Sequence, residues 1–271
     1  KAPNFLAAQE GMEADKWVTR LQKLYKNYIT AKAPLKLINE NDYKIILALE
    51  GDDDKEHKQY IVDLINDHLD DWTKAVGKAP AYYIVEANDG FAEDLAKDGN
   101  AKYKDYVENV KGKYAKAYSV IGLTEITPYE KTKLYNDALF NLYKNKNVDG
   151  YIKAMQTYFD KMKGNIQAAD YGKAAQNLYM AAGKVLKPKH HEVAIQWSEK
   201  ALEKENAVMD RVNYMVMIGD SYRELKNYAK AREYYNQAFA ETLTLQNMEM
   251  PQAMLQSAIK HKLSTLELLE K

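Results

Sequence analysis

The sequence predicts an all-α protein arranged as an array of helix pairs, and three observations predict it. Apolar residues recur at helical spacing along most of the chain. Only 12 Gly and 6 Pro interrupt 271 residues rich in good helix formers. From Tyr129 onward, short polar segments divide the chain at intervals: Lys144 to Asp149, Gly164 to Asn165, Lys187 to His190, Lys226 to Asn227 and Asn247 to Pro251. Helices of roughly 12 to 17 residues joined by such turns must lie antiparallel to their neighbours. Stacked pairs of this kind make a solenoid. The 22 Tyr against 5 Phe suit side chains half-buried between helices with the hydroxyl kept wet.

In the first part of the chain the elements follow from apolar stripes and stop signals. From Glu13 to about Ile29, residues Trp17, Leu21, Leu24, Tyr25 and Tyr28 share one face of a helix, a face that must pack on something. Pro34 interrupts, Asn41 or Asp42 can cap the next start, and Tyr43 to Leu49 forms a short apolar helix ended by Gly51 to Asp54. One long helix is expected next, with Ile61, Leu64, Ile65, Leu69 and Trp72 on a stripe and its end near Gly77, Pro80 lying beyond. Residues Ala79 to Ala87 read as a helix that stops in a turn at Asn88-Asp89-Gly90. After Gly99-Asn100 a single helix places Tyr103, Tyr106, Val107, Val110, Tyr114 and Tyr118 on one stripe. The Gly122 to Pro128 connector then marks a boundary, so the expected domains are a divergent helical region over 1–121 and a repeat region over 127–271.

The most specific pattern lies between Met215 and Leu243. Met215, Ile218, Gly219 and Tyr222 share one face of a first helix, and Ala231, Tyr235 and Ala238 one face of a second. A preceding copy aligns Leu178, Ala181, Ala182 and Val185 with the first-helix positions and Ala194, Ser198 and Ala201 with the second. Ala182 to Ala194 and Gly219 to Ala231 both span twelve residues, and the copies are offset by 37, close to the ~34-residue period of one repeat class. An earlier pair, Leu134 to Tyr143 with Tyr151 to Met162, keeps the stripes without the small residues, and Pro251 to Leu269 would cap the array.

These residues resemble the tetratricopeptide repeat over about 168–243. The resemblance implies a right-handed α-α superhelix in which small residues at Gly219, Ala231 and Ala238, and at Ala182, Ala194 and Ala201, let paired helices approach closely. Met215, Ile218, Tyr222 and Tyr235 would fill the space between them. The chain departs from the family at Leu243, where proline is usual, and at Met215, where tryptophan is usual. The family's concave groove, lined by its first helices, maps onto Gln176, Tyr179, Met180 and Gly183 in one copy and Asn213, Val216, Met217 and Asp220 in the next. This set lacks the Lys, Asn and Arg clamp for a terminal carboxylate, so a chaperone-tail receptor is disfavoured. The expected groove is mainly apolar, lined by Met and Tyr, and takes an extended apolar peptide or the protein's own N-terminal helices.

Composition excludes several functions. With 39 basic and 39 acidic residues the net charge is zero, which offers nothing to a nucleic-acid backbone or an anionic membrane. No apolar run reaches the ~20 residues of a membrane helix. Absence of cysteine removes disulfides, thiolate catalysis and Cys-ligated zinc. The start at Lys1 suggests removal of an upstream segment and an exported protein, periplasmic or of the cell envelope.

Candidate chemistry is sparse. His190-His191-Glu192 lacks the spacing of a helical zinc site and reads as a polar interhelical turn. His68, on the stripe of Ile61 and Trp72, reads as a satisfied core histidine. Asp52-Asp53-Asp54 with Glu56 and His57 lacks the glycine and alternating ligands of a calcium loop and reads as a solvated turn, as does Asp70-Asp71. No phosphate-cradling glycine loop occurs in the sequence, and no cofactor or metal is expected. The reading is a non-enzymatic scaffold that binds a protein or peptide. The alternatives are an all-helical hydrolase using Asp52 to His57 or His190-His191, and an accessory helical region of a larger exported protein.

Overall fold

The computed structural model describes residues 12–50, 54–122, 126–182, 185–245 and 249–270, and every regular element among them is a helix. They form two compact units. The first comprises the described residues up to Ala92 with Asp105–Gly122, the second Glu93–Lys104 with the described residues from Ile126 onward.

The first unit opens with α1 (Met12–Ala31), α2 (Pro34–Leu37) and α3 (Glu40–Leu49). Of the five residues expected on the packed face of α1, only Tyr25 is buried. It pairs with Ile29 one turn on, while Trp17, Leu24 and Tyr28 are exposed and Leu21 is half-buried. Pro34 occupies the first turn of α2, where its missing N–H is harmless. The cap of α3 is Asn39, upstream of the expected Asn41 or Asp42; its side chain accepts from the Asp42 amide at 3.0 Å. Asp42 is buried instead, and its carboxylate accepts from Tyr28 Oη, Asn39 Nδ2 and Lys32 Nζ. Burial alone would raise its pKa, but the donors from Lys32, Tyr28 and Asn39 outweigh it and hold the carboxyl below the usual range.

The single long helix expected next is two, α4 (Lys55–Asp67) and α5 (Leu69–Val76), because the backbone leaves the helical region at His68 with φ −124° and ψ 29°. The stripe survives the break: Ile61, Leu64, Ile65, Leu69 and Trp72 are all buried. His68 sits half-buried at the joint, outside the core in which it was expected. Gly77, at φ 73°, ends α5 in the left-handed region that glycine enters without a Cβ penalty. The expected turn at Asn88-Asp89-Gly90 is absent, and α6 runs from Ala79 to Lys97, with Pro80 in its first turn. Asn88 is fully buried there. Its Nδ2 donates to the Tyr106 carbonyl at 2.9 Å and to Tyr118 Oη at 2.8 Å, while Tyr118 Oη donates to Asp89 at 2.5 Å. The polar side chains that suggest a turn are satisfied by distant partners, so they do not compete with the helix. The last predicted helix of this part is likewise broken, into α7 (Tyr103–Asn109) and α8 (Ala115–Val120). Five of its six stripe residues are buried, and Tyr106 is half-buried.

The second unit carries α9 (Pro128–Asn145), α10 (Val148–Met162), a 3-10 turn at Lys163–Asn165, α11 (Ala168–Ala182), α12 (Pro188–Lys204), α13 (Val208–Glu224), α14 (Tyr228–Thr242) and α15 (Glu249–Leu269). Side chains start three of them. Thr127, Asn147 and Asn227 accept from the backbone N–H three residues on, satisfying donors the helix leaves orphaned. Each helix packs on the next, and α9 also touches α11 and α10 touches α12. Of the polar turn expected at Lys187 to His190, Lys187 is the N-cap of α12 and the rest lies in its first turn, which begins at Pro188.

Lys226 follows α13 with φ 58°, the left-handed helix terminus usually given to glycine. For an L-residue this conformation costs roughly 1–2 kcal/mol, partly offset in glycine by its greater unfolded-state freedom. Lys226→Gly should therefore raise stability by about 0.5–1 kcal/mol in urea unfolding; a loss would mean that the lysine side chain itself holds the turn.

Candidate functional site

The packing of α13 on α14 is set by one close approach. Gly219 lies against Tyr235, whose ring atoms Cε1 and Cδ1 stand 2.6 and 2.7 Å from where a Cβ would be. Ala231, Tyr235 and Ala238 are fully buried, and they join Val212, Met215, Ile259 and Leu266 in one apolar cluster. Tyr222, half-buried, packs on the edge of that cluster and stacks on Tyr234 with centroids 5.7 Å apart. In the preceding pair Leu178, Ala181, Ala194, Ser198 and Ala201 are buried. Val185 lies beyond the described extent of α11 and is exposed. The side chain of Ala182, and Gly183 altogether, lie outside the described residues.

A cleft of about 520 Å³ opens between α11 and α13. Of the eight expected groove residues, Gly183 lies outside the described residues and six line the cleft: Gln176 and Tyr179 from α11, and Asn213, Val216, Met217 and Asp220 from α13. Met180 does not; it is 67% exposed on the neighbouring face of α11. Beside Tyr179, Tyr214, Val216 and Met217 the lining carries the polar side chains Lys173, Asp210, Asp220, Gln176 and Asn213.

The sequence reading missed Gly172 and Tyr214. A Cβ on Gly172 would fall 2.4 Å from Tyr214 Cε1 and 2.6 Å from its hydroxyl oxygen, so the bare backbone of α11 is what lets the hydroxyl end of that tyrosine of α13 come against it. The available signal was a glycine in the middle of a helical pattern, which implies a close approach without naming its partner. Across the same cleft Tyr179 Oη donates to the Met217 carbonyl at 3.3 Å.

The polar groups of the cleft fall into two kinds. Asp220 is already compensated: it accepts from Tyr235 Oη at 2.6 Å and from Lys262 Nζ at 2.8 Å on both oxygens, with Arg223 3.6 Å away. The side chains of Gln176 and Asn213, by contrast, are exposed and make no hydrogen bond among the described residues. Each offers a carbonyl acceptor and an amide donor side by side. Burial, reinforced by Asp210 and Glu205, pushes the Tyr214 hydroxyl up to about 12. Burial also raises that of Tyr179, with Asp220 and Glu224 adding to it. Both rings are therefore neutral at physiological pH and act as apolar surface with a hydroxyl donor.

The other candidate positions do not converge. His190 and His191 are both buried in the first turn of α12, so they form no solvated turn. They also point to different neighbours. His190 accepts the Lys187 N–H on Nδ1 at 3.0 Å and meets Asp149 at 3.0 Å through Nε2, whereas His191 packs against Tyr179 with centroids 5.9 Å apart. Desolvation by burial lowers the pKa of His191. Asp52 and Asp53 lie outside the described residues; Asp54 caps α4 and pairs with Lys26. His57 is half-buried edge-on to Tyr25, and Asp70 pairs with Lys116 at the surface. Among the described residues, no group of three or more His, Cys, Asp or Glu could hold a metal ion.

Residues 212–240 match the tetratricopeptide repeat family. That stretch contains Met215, Ile218, Gly219, Tyr222, Ala231, Tyr235 and Ala238. No curated protein and no solved structure matches the chain. No described helix is long and apolar enough to cross a membrane.

Proposed function

We propose that the chain is a non-enzymatic scaffold in which the helix pairs over 127–271 stack as a right-handed solenoid and hold an extended protein segment in the α11–α13 cleft, while 1–121 forms a separate helical region. A tetratricopeptide-type repeat is a protein-interaction module, and the observation that carries this reading is the makeup of the cleft. Two open carboxamides, Gln176 and Asn213, stand at the rim of a floor formed by Tyr179, Tyr214, Val216 and Met217. An extended backbone needs donors and acceptors in alternation, and its side chains need apolar surface; this wall supplies both. A zero net charge and a compensated Asp220 favour a protein segment over a nucleic acid.

The test is affinity capture from native extract with the intact chain, followed by titration of the recovered partner. Met217→Glu places a charge on the floor without disturbing the Gly219–Tyr235 contact, and should weaken binding at least about tenfold, equivalent to about 1.4 kcal/mol. Met250→Glu, at a position 76% exposed on α15, should bind as the wild type does. A partner that binds the Met217 variant equally well would rule out this cleft.

A further inference from the structure

The face of α1 that packing among the described residues leaves open has the form of a helix-docking seam. Trp17, Leu21, Leu24 and Tyr28 are spaced four, three and four residues apart, the a/d spacing of a heptad. Trp17 is 40% exposed, Leu24 56% and Tyr28 41%. The helix is anchored through Tyr25 and Ile29 on its adjacent face, and Tyr28 is steadied by its hydroxyl on Asp42. The seam is therefore presented by a helix that is already held in place.

Among the described side chains its flank is basic. Lys16, Arg20 and Lys23 flank the seam, are exposed, and pair with no acidic side chain among the described residues; Arg20 lies over the Trp17 ring at 5.3 Å. Lys26, further round the helix, is already neutralised by Asp54.

We propose that this face docks an acidic amphipathic helix of another protein, its apolar a/d residues on Trp17, Leu21, Leu24 and Tyr28 and its carboxylates against Lys16, Arg20 and Lys23. The other occupants fit less well. A second copy in parallel register would bring Lys16, Arg20 and Lys23 against their own counterparts, which costs rather than stabilises. A lipid surface is served by a broad apolar face, whereas the a/d stripe, with exposed Val18 beside it, is a seam of the width one helix covers. The surface lies in the first unit and is independent of the cleft reading.

The experiment uses the full chain and two synthetic three-heptad helices with Leu at a and d, one carrying Glu and the other Lys at e and g. Trp72 and Trp197 are buried, so Trp17 is the exposed tryptophan and reports docking as a blue shift of its emission. The acidic helix should bind saturably, at least about tenfold tighter than the basic one, and more weakly as salt rises. Leu24→Glu should weaken it about tenfold or more, Lys23→Glu several-fold, and Met217→Glu not at all. Both seam substitutions lie at exposed positions, and unchanged circular dichroism confirms that each variant folds. Failure of the acidic helix to bind at about 100 µM, equal binding of the two helices, or indifference to Leu24→Glu would overturn the proposal. So would a Leu24-dependent association with phosphatidylserine vesicles or self-association in sedimentation that excludes the acidic helix.

Discussion

Gly219→Leu should cost about 3 kcal/mol in denaturant unfolding, although leucine is the better helix former by nearly 1 kcal/mol. The cost comes from volume. Any Cβ at 219 falls 2.6 Å from the Tyr235 ring, closer than such contacts occur, and leucine adds three carbons beyond it. The ring has nowhere to go: Tyr235 is fully buried, and its hydroxyl is held by Asp220, which is held in turn by Lys262 from α15. The strain therefore spreads through the contact that aligns α13, α14 and α15. Gly219→Ala should show the same effect at about 1 kcal/mol, the overpacking of one methyl less the gain in helix propensity. Leucine at 219 paired with Tyr235→Ala should recover part of the loss, as expected of residues in direct contact. Urea titration followed by circular dichroism measures all three. If Gly219→Leu proves neutral, these two helices do not approach as closely as described.

Asn88→Leu should be nearly as damaging, at about 3 kcal/mol, for the opposite reason. The volume is conserved and the helix is favoured, but a buried polar hub is removed. Asn88 donates to the Tyr106 carbonyl and Tyr118 Oη, and accepts from Asn109 Nδ2 at 3.3 Å. Leucine leaves these groups facing an apolar side chain, at about 1–3 kcal/mol for each one left unsatisfied. Tyr118 keeps its bond to Asp89, so the carbonyl of Tyr106 and the amide of Asn109 bear most of the loss. For a chain of this size the melting temperature should fall by about 6–12 °C, read by scanning calorimetry. An unchanged melting point would mean that the turn-like triplet at 88–90 is held helical by something other than its side-chain partners.

The two substitutions mark where sequence reading succeeded and where it failed. Gly219, Ala231 and Ala238 were legible because a repeat states the same local rule twice: a small residue at fixed spacing on one helix face, and a bulky partner opposite. Of the eight groove positions placed by that register, six line one cavity and Gly183 lies outside the described residues. Met180 falls outside the cavity, exposed on the neighbouring face of α11, because a register read from periodicity does not fix which side of a helix faces its partner. In the first unit there was no repeat to calibrate against. Helix type was read correctly there, but the break at His68, the continuity through Asn88 and the exposure of Trp17, Leu24 and Tyr28 were not foreseen.

By itself the sequence determined that the described chain is helical, where most helices of the second unit begin and end, and which small side chains permit close packing. These are properties of periodicity and local sterics, set within a few residues of each position. Only the tertiary structure decided that Asn88 belongs to a helix, that Gly172 makes room for Tyr214, that Asp220 is already compensated, and which face of α1 stays open. Each of these depends on a partner 15 to 42 residues away, and periodicity along a helix carries no record of which distant side chain will satisfy a polar group or cover an apolar one.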